Sequence, residues 1–292
     1  MLSRKIFITS VLRKSIVNEK KRIVDLSVDI DPDFWEPQKI TRKIVNHKSG
    51  ADKLGKSYLY FQSVSFLRRL WMKIVKPKKY YIDHRDFPDG MGLSLMTYSL
   101  TTHTGTHIDA PYHYGWRSDK NGLQKTVTDI PLSWCYGRGV LLDFSDGNTV
   151  IDSDNVQKKL AETGHELMSG DIVLINTGAY KKLGKREYFT DYQAVNISAL
   201  AWLIERGVRV IGTDAFSFDR PFCDMIADYK RSGNKDVLWP AHFFGRDHEY
   251  LQIERLGNLE GLPNATGFKV CCFPVKLKNA DAAWSRVVAI ID

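Results

Sequence analysis

The chain has 292 residues, 43% hydrophobic and 26% charged, with a formal net charge of +8. Such a length holds one large domain or two small ones, and such a composition belongs to an ordinary globular protein rather than a disordered one. No run of about 18 apolar residues occurs, which excludes a transmembrane helix.

The basic excess is uneven. Met1 to Arg22 carries Arg4, Lys5, Arg13, Lys14, Lys20, Lys21 and Arg22 against Glu19, and is read as a basic N-terminal arm (1–22) ahead of a single domain (23–292). Lys53 to Lys79 carries eight Lys and Arg with no acid. A solvated basic face is the favoured meaning of both, since no nucleic-acid-binding module accompanies them. The four cysteines, Cys135, Cys223, Cys271 and Cys272, form no C-x-x-C pair. Adjacent Cys271 and Cys272 point to opposite faces of a strand, so reduced thiols in a cytoplasmic protein are expected. The short apolar run near Met1 lacks a small-residue cleavage site, which argues against a secretory signal.

Ile23 to Ile30 alternates apolar and polar and predicts a first strand, broken at Asp31-Pro32-Asp33. Lys39 to His47 is a second candidate strand. Phe66 to Val75 predicts an amphipathic helix, read as a surface helix packed through its apolar face. A lid on an active site, a self-association surface and a helix lying on an anionic surface are its alternatives. Leu93 to Leu100 is an apolar run that delivers the chain to Thr102–Tyr114, where histidines cluster. Beyond it, Val140–Phe144, Ile172–Thr177 and Val208–Gly212 predict strands. Ser153–Thr163 and Ser198–Arg206 predict helices capped by Ser153 and Ser198, the second stopped by Gly207. His242 to Leu262 contains a short helix, and Phe268–Val275 and Arg286–Ile291 close the chain as strands. With no repeat and no linker, this order predicts one α/β domain with a mixed β-sheet or small barrel and flanking helices.

Thr102–Tyr114 reads Thr-His-Thr-Gly-Thr-His-Ile-Asp-Ala-Pro-Tyr-His-Tyr. His103, His107, Asp109 and His113 are the ligand types of a catalytic divalent-metal site, and the absence of Cys argues against a closed structural zinc site. Gly105 permits unusual backbone angles and Pro111 stiffens the loop. Alternation places His107 and Asp109 on one side of an extended segment, within reach of one ion. Support from elsewhere in the chain has few sources. His47, His84 and His165 lie in charged, loop-like settings without an evident partner. His242, after the apolar Leu238–Ala241, and Glu254, beyond Gly245–His248, are the better candidates. Thr106 and Asp214 read as supporting groups. Ser217 has no G-x-S-x-G frame, which rejects a serine hydrolase. Trp35, Trp71, Trp116 and Trp239 lie near these segments, a weak pointer to an aromatic substrate.

His103-x-Gly105-Thr106-His107-x-Asp109-x-Pro111-x-His113 resembles the H-x-G-T-H-x-D-x-P-x-H motif of the cyclase family of metal-dependent hydrolases, which includes bacterial kynurenine formamidase and isatin hydrolase. The similarity continues through Gly170–Gly178, Ile211–Pro221, Trp239–His242, Glu254–Leu259 and the C-terminal strands, from about Ile23 to the end. It implies a swivelling β/β/α cyclase-like fold and hydrolysis of an amide, formamide or lactam carbon–nitrogen bond by a metal-activated water. His103, His107 and Asp109 match the ligands of one zinc. Asp109 is shared with a second zinc, whose other ligands match His242 and Glu254. His113 matches the acid/base histidine. Some relatives use manganese, and members are commonly homo-oligomers, here expected as a homodimer or homotetramer. The alternative activity is a cyclase or dehydratase acting on a polyketide-like or other carbonyl substrate.

Overall fold

The computed structural model describes residues 22–57, 61, 65–75, 82–147 and 149–291; the expected basic arm, apart from Arg22, lies outside the described residues. In chain order the first elements are β1 (Arg22–Asp25), β2 (Thr41–Val45), α1 (His47–Leu54), α2 (Phe66–Val75), β3 (Leu95–Ser99), β4 (His107–Asp109) and α3 (Pro111–Tyr114). A small hairpin follows, β5 (Arg117–Ser118) and β6 (Gly122–Leu123), and then β7 (Tyr136–Asp143), α4 (Ser153–Thr163), β8 (Ile172–Asn176), α5 (Ile197–Glu205) and β9 (Val210–Thr213). The chain ends with α6 (Phe222–Ser232), α7 (Pro240–Phe244), β10 (Leu251–Glu254), β11 (Phe268–Cys271), β12 (Ala282–Trp284) and β13 (Val288–Ile291).

Nine strands form one mixed sheet in the order β1-β13-β11-β7-β8-β9-β10-β4-β12. Its middle, β7-β8-β9-β10, is parallel. Parallel neighbours need crossover connections, which α4 and α5 supply, and a sheet covered on both faces favours continuous apolar strands such as Ile172–Ile175. Period-two alternation then divides that strand. Ile172 and Leu174 enter a core that also holds Val24 of β1 and Ala283 of β12. Residues from both edge strands meet in one cluster, so the sheet curls around it. Val173 and Ile175 face the other way, onto Val156 and Leu160 of α4 and Leu200 and Leu203 of α5. The expected single α/β domain with a mixed sheet and flanking helices is the observed architecture.

Several boundaries differ from expectation for local reasons. The first strand stops at Asp25, whose carboxylate accepts a hydrogen bond from the Ser27 amide and turns the chain. The caps of α4 and α5 are Asp152 and Asn196, whose side chains accept from the Asn155 and Ser198 amides. The Ser198 hydroxyl instead accepts from the Ser153 amide and ties the two helices together. Residues read as the tail of a strand begin α1, because Asn46 caps it by accepting from Ser49 N. No element was expected at α6 or β12.

The two-stranded β2–β3 sheet stands apart from the main sheet and exposes Ile44, Leu95, Met96 and Tyr98. Helix α2 forms where expected but is not packed through its apolar face: Phe66, Leu67, Leu70, Trp71 and Ile74 are exposed and Met72 is buried. Among the described residues, no helix is long and apolar enough to cross a membrane.

Candidate metal centre

The site grows from strand β4, which is held between two antiparallel neighbours. Its register sets Glu254 opposite His107 on β10 and Trp284 opposite His107 on β12. Side chains alternate across a strand, so Ile108 enters the core while His107 and Asp109 share the other face, with Glu254 as the cross-strand neighbour of His107. All three are buried.

His103 reaches the same place through the tight turn before β4. The Thr104 hydroxyl accepts from the Thr101 amide, and Gly105 adopts a φ of +69°. A Cβ there would lie 2.8 Å from Ile30 Cγ1, so glycine is needed for both angle and space. Thr106 closes the turn: its hydroxyl donates to the Arg255 carbonyl and accepts from the Val28 amide. His242 arrives on α7, where Trp239 takes a φ of +45° and Pro240 begins the helix. Asp219 holds that helix start by accepting from the Ala241 and His242 amides.

These pieces converge on Asp109. His103 Nδ1 and His107 Nε2 stand 3.0 and 3.2 Å from its Oδ1, and His242 Nε2 stands 3.9 Å from its Oδ2. Glu254 spans the two halves, 3.6 Å from His107 Nε2 and 3.8 Å from His242 Nε2. Both oxygens of Asp109 are buried and meet no well-aligned hydrogen-bond donor, only the imidazole nitrogens of the cluster. A buried carboxylate without such a donor is costly by itself, and its presence among inward-facing imidazole nitrogens is the arrangement expected of a cation-binding site. His103, His107 and Asp109 offer one set of ligand atoms close enough for a single ion.

The outer nitrogen of each imidazole is occupied. His107 Nδ1 lies 2.9 Å from the Gly105 carbonyl, His242 Nδ1 lies 2.6 Å from Asp219 Oδ2, and His103 Nε2 lies 3.0 Å from Asp281 Oδ2. Each partner is an acceptor, so the outer nitrogen keeps its proton and the inner one is the nitrogen that a cation would take in exchange for a proton. Sequence reasoning missed Asp219 and Asp281 in this orienting role. Asp219 lies inside the Ile211–Pro221 segment that carries the family resemblance, whereas Asp281 lies in an Asn-Ala-Asp-Ala stretch without pattern.

Electrostatics in the metal-free cluster follow from burial against crowded charge. Burial works against a charged His103 ring, but Asp109 and Asp281 outweigh it and push its pKa up to about 10. Burial likewise opposes ionisation of Asp109, yet the neighbouring His113, His107 and His103 hold it well below its usual range. Burial and the adjacent Asp109 raise Glu254 to about 8, and burial lowers His107. The cluster thus holds extra protons where a cation would relieve the crowding.

His113 sits on α3 at the open edge. Its ring centroid is 4.3 Å from that of His103 and 5.3 Å from that of His242, and its Nδ1 is 3.6 Å from Asp281. Beside His103 a cavity of about 460 Å³ opens, walled by Trp35, Phe189, Phe216 and Phe222 with Arg186 at its side. Buried Arg255 braces that wall. Its guanidinium pairs with both carboxylate oxygens of Glu36, faces the rings of Tyr188 and Phe189, and donates to the His103 carbonyl.

The remaining candidates are structural. Asp214 accepts from the amides of Thr177 and Tyr180 and from the Thr177 hydroxyl. Ser217 is buried, and its hydroxyl accepts from the Asp219 amide. His84 and His165 do have partners: His84 Nδ1 lies 2.9 Å from Asp52, and His165 Nε2 lies 2.8 Å from Asp171, which also pairs with Arg138. The His84 pair joins segments 32 residues apart, and the His165 pair closes across a six-residue connection without periodicity, so neither carries a pattern. Of the four tryptophans, Trp35 reaches the cavity, Trp239 packs edge-on against Phe222 beside it, and Trp71 and Trp116 are exposed.

The family model described as "Putative cyclase" matches residues 24–220. A kynurenine formamidase of Erythrobacter litoralis (strain HTCC2594) is 26% identical over 200 residues, covering 68% of this chain and 78% of that enzyme. A kynurenine formamidase of Bacillus mycoides (strain KBAB4) is 32% identical over 122 residues, which is 41% of this chain and about half, 51%, of that enzyme. An isatin hydrolase bound to the product analogue thioisatinate shares the fold, with a TM-score of 0.66 at 17% identity, covering 93% of this chain and 92% of that one.

Proposed function

This chain belongs to the cyclase family, and from that premise we propose that it is a metal-dependent hydrolase of carbon–nitrogen bonds in amides, formamides or lactams. The observation that carries the reading is Asp109: a fully buried carboxylate, both oxygens without a well-aligned hydrogen-bond donor, facing the inner nitrogens of three oriented histidines. Similarity to kynurenine formamidases supports this bond type, and the fold shared with an isatin hydrolase is consistent with it.

In this reading His103, His107 and Asp109 hold one divalent ion, and Asp109, His242 and Glu254 hold a second, supported by the 3.9 and 3.8 Å from His242 Nε2 to the two carboxylates; zinc is the expected metal and manganese its alternative. Bound there, the metal supplies Lewis acidity, which lowers the pKa of water from 15.7 to about 7 and polarises a carbonyl. The protein's own part is positional. Asp219, Asp281 and the Gly105 carbonyl fix three imidazoles with their inner nitrogens toward Asp109. His113, half-open beside the cluster, takes a proton from the attacking water and hands it to the leaving nitrogen. The aromatic walls of the cavity hold a small planar substrate and keep bulk water from the reacting carbonyl.

We further propose a homodimer or homotetramer, supported by the exposed apolar side chains of the two-stranded β2–β3 sheet, which light scattering on the purified chain tests. Four free cysteines support a cytoplasmic setting. The function itself is tested by screening N-formyl aromatic amines and lactams with metal-stripped and metal-restored protein. Hydrolysis that returns with the metal is expected. Cyclisation or dehydration without water addition would replace this reading with the cyclase or dehydratase alternative.

A further inference from the structure

Helix α2 presents its apolar face to solvent. At about 100° per residue, Phe66, Leu67, Leu70, Trp71 and Ile74 fall within a single arc of about 140°. They are 78%, 74%, 44%, 51% and 72% exposed. Met72 lies nearly opposite the middle of that arc and, of the helix side chains described, is the buried one. The helix is therefore anchored by its narrow side and turned apolar side outward, the reverse of an ordinary surface helix.

Charge decides what covers such a face. Arg68 and Arg69 project on either flank, each about 60° beyond an edge of the apolar arc. The surrounding Lys53–Lys79 stretch carries eight basic residues and no acid. Trp71 sits at the edge of the arc nearest Arg68, the place of an aromatic ring that bridges apolar and polar layers. A second copy docking through the same face by a two-fold axis would set these cations against their own images with no carboxylate in the segment to match them. An anionic bilayer matches every feature: an acyl boundary for the apolar arc, headgroup phosphates for the flanking cations and an interface for Trp71.

We propose that Phe66–Val75 is an interfacial helix that docks this protein on an anionic lipid surface. The inference is independent of the metal centre. The test is co-sedimentation of the full chain with phosphatidylcholine vesicles, with and without phosphatidylglycerol, at low and high salt. Wild-type protein is expected on the anionic vesicles alone, and high salt releases it. Removing both flanking cations (Arg68→Gln with Arg69→Gln) weakens binding roughly 25-fold, at about one kcal/mol per cation near the surface. Leu67→Ser with Ile74→Ser abolishes it while leaving metal content and circular dichroism unchanged. The proposal is overturned by an absence of binding to anionic vesicles. It is overturned equally by binding that the Arg68 and Arg69 changes leave intact, which would assign the membrane to the basic stretch before residue 22. A shift to a smaller oligomer in the Leu67/Ile74 variant, without vesicle binding by the wild type, would make the face a subunit contact instead.

Discussion

Asp281 offers the sharpest perturbation of the site that leaves every proposed ligand in place. Its carboxylate lies 3.0 Å from His103 Nε2 and 3.6 Å from His113 Nδ1, and accepts from the Thr102 hydroxyl at 3.1 Å. With Asp281→Ala, His103 loses the acceptor that fixes its tautomer and ring plane. Removing such a carboxylate partner from a metal-binding imidazole costs about 10–100-fold in metal affinity, or roughly 1.4–2.8 kcal/mol. The Asp281 side chain is 39% exposed, so water takes over part of its role and the loss falls near tenfold. Asp281→Asn keeps an acceptor and recovers part of the affinity. Competition for zinc against a chromophoric chelator reads both, and the thermal midpoint of the metal-free variants shows whether the fold is intact. Unchanged affinity in Asp281→Ala would refute the reasoning that this carboxylate holds His103 in place.

His113→Ala should lower kcat by about 10²–10⁴-fold while the metal content stays at the wild-type level; a parallel loss of metal would make His113 a ligand rather than a proton carrier. The metal-free protein should lose stability as pH rises. The raised pKa of His103 contributes stability that is complete below the unfolded value of 6.5 and vanishes as pH passes about 10, and Glu254, raised to about 8, acts in the same direction because the fold disfavours its ionised form. A thermal midpoint falling between pH 6.5 and 10, with zinc affinity rising over the same window, checks this, and a flat or rising midpoint contradicts it. Glu36→Ala strands the buried Arg255 guanidinium and should cost about 3–5 kcal/mol in urea unfolding, whereas a cost below about 1 kcal/mol would mean that Arg255 finds water.

The site was legible in sequence where ligands are close together or framed by a pattern. His103, His107, Asp109 and His113 share one turn, strand and short helix, so alternation alone places two of them on one face. His242 and Glu254 stood out from local context as the better remaining candidates and took their ligand roles from the family resemblance, and the cross-strand register of β4 and β10 is what brings Glu254 opposite His107. Asp281 stayed invisible because its role depends on β12 pairing with β4, a contact that no local pattern announces. The same limit hid the partner of His84, which lies 32 residues away. Helix α2 was legible as a helix, since periodicity reports a face, but periodicity does not say whether the core or the solvent receives it. Strand ends and caps shifted by a few residues where Asp25, Asn46, Asp152 and Asn196 competed with serine or with strand continuation for a backbone amide.

The central claim is that the Asp109 cluster binds a catalytic metal. Bound metal and hydrolysis of an N-formyl aromatic or lactam substrate, measured side by side in wild type and His107→Ala, test it most directly. The account predicts stoichiometric metal in the wild type, and loss of both metal and activity in the variant, whose secondary structure is retained. A variant that keeps its metal content and its rate would contradict it.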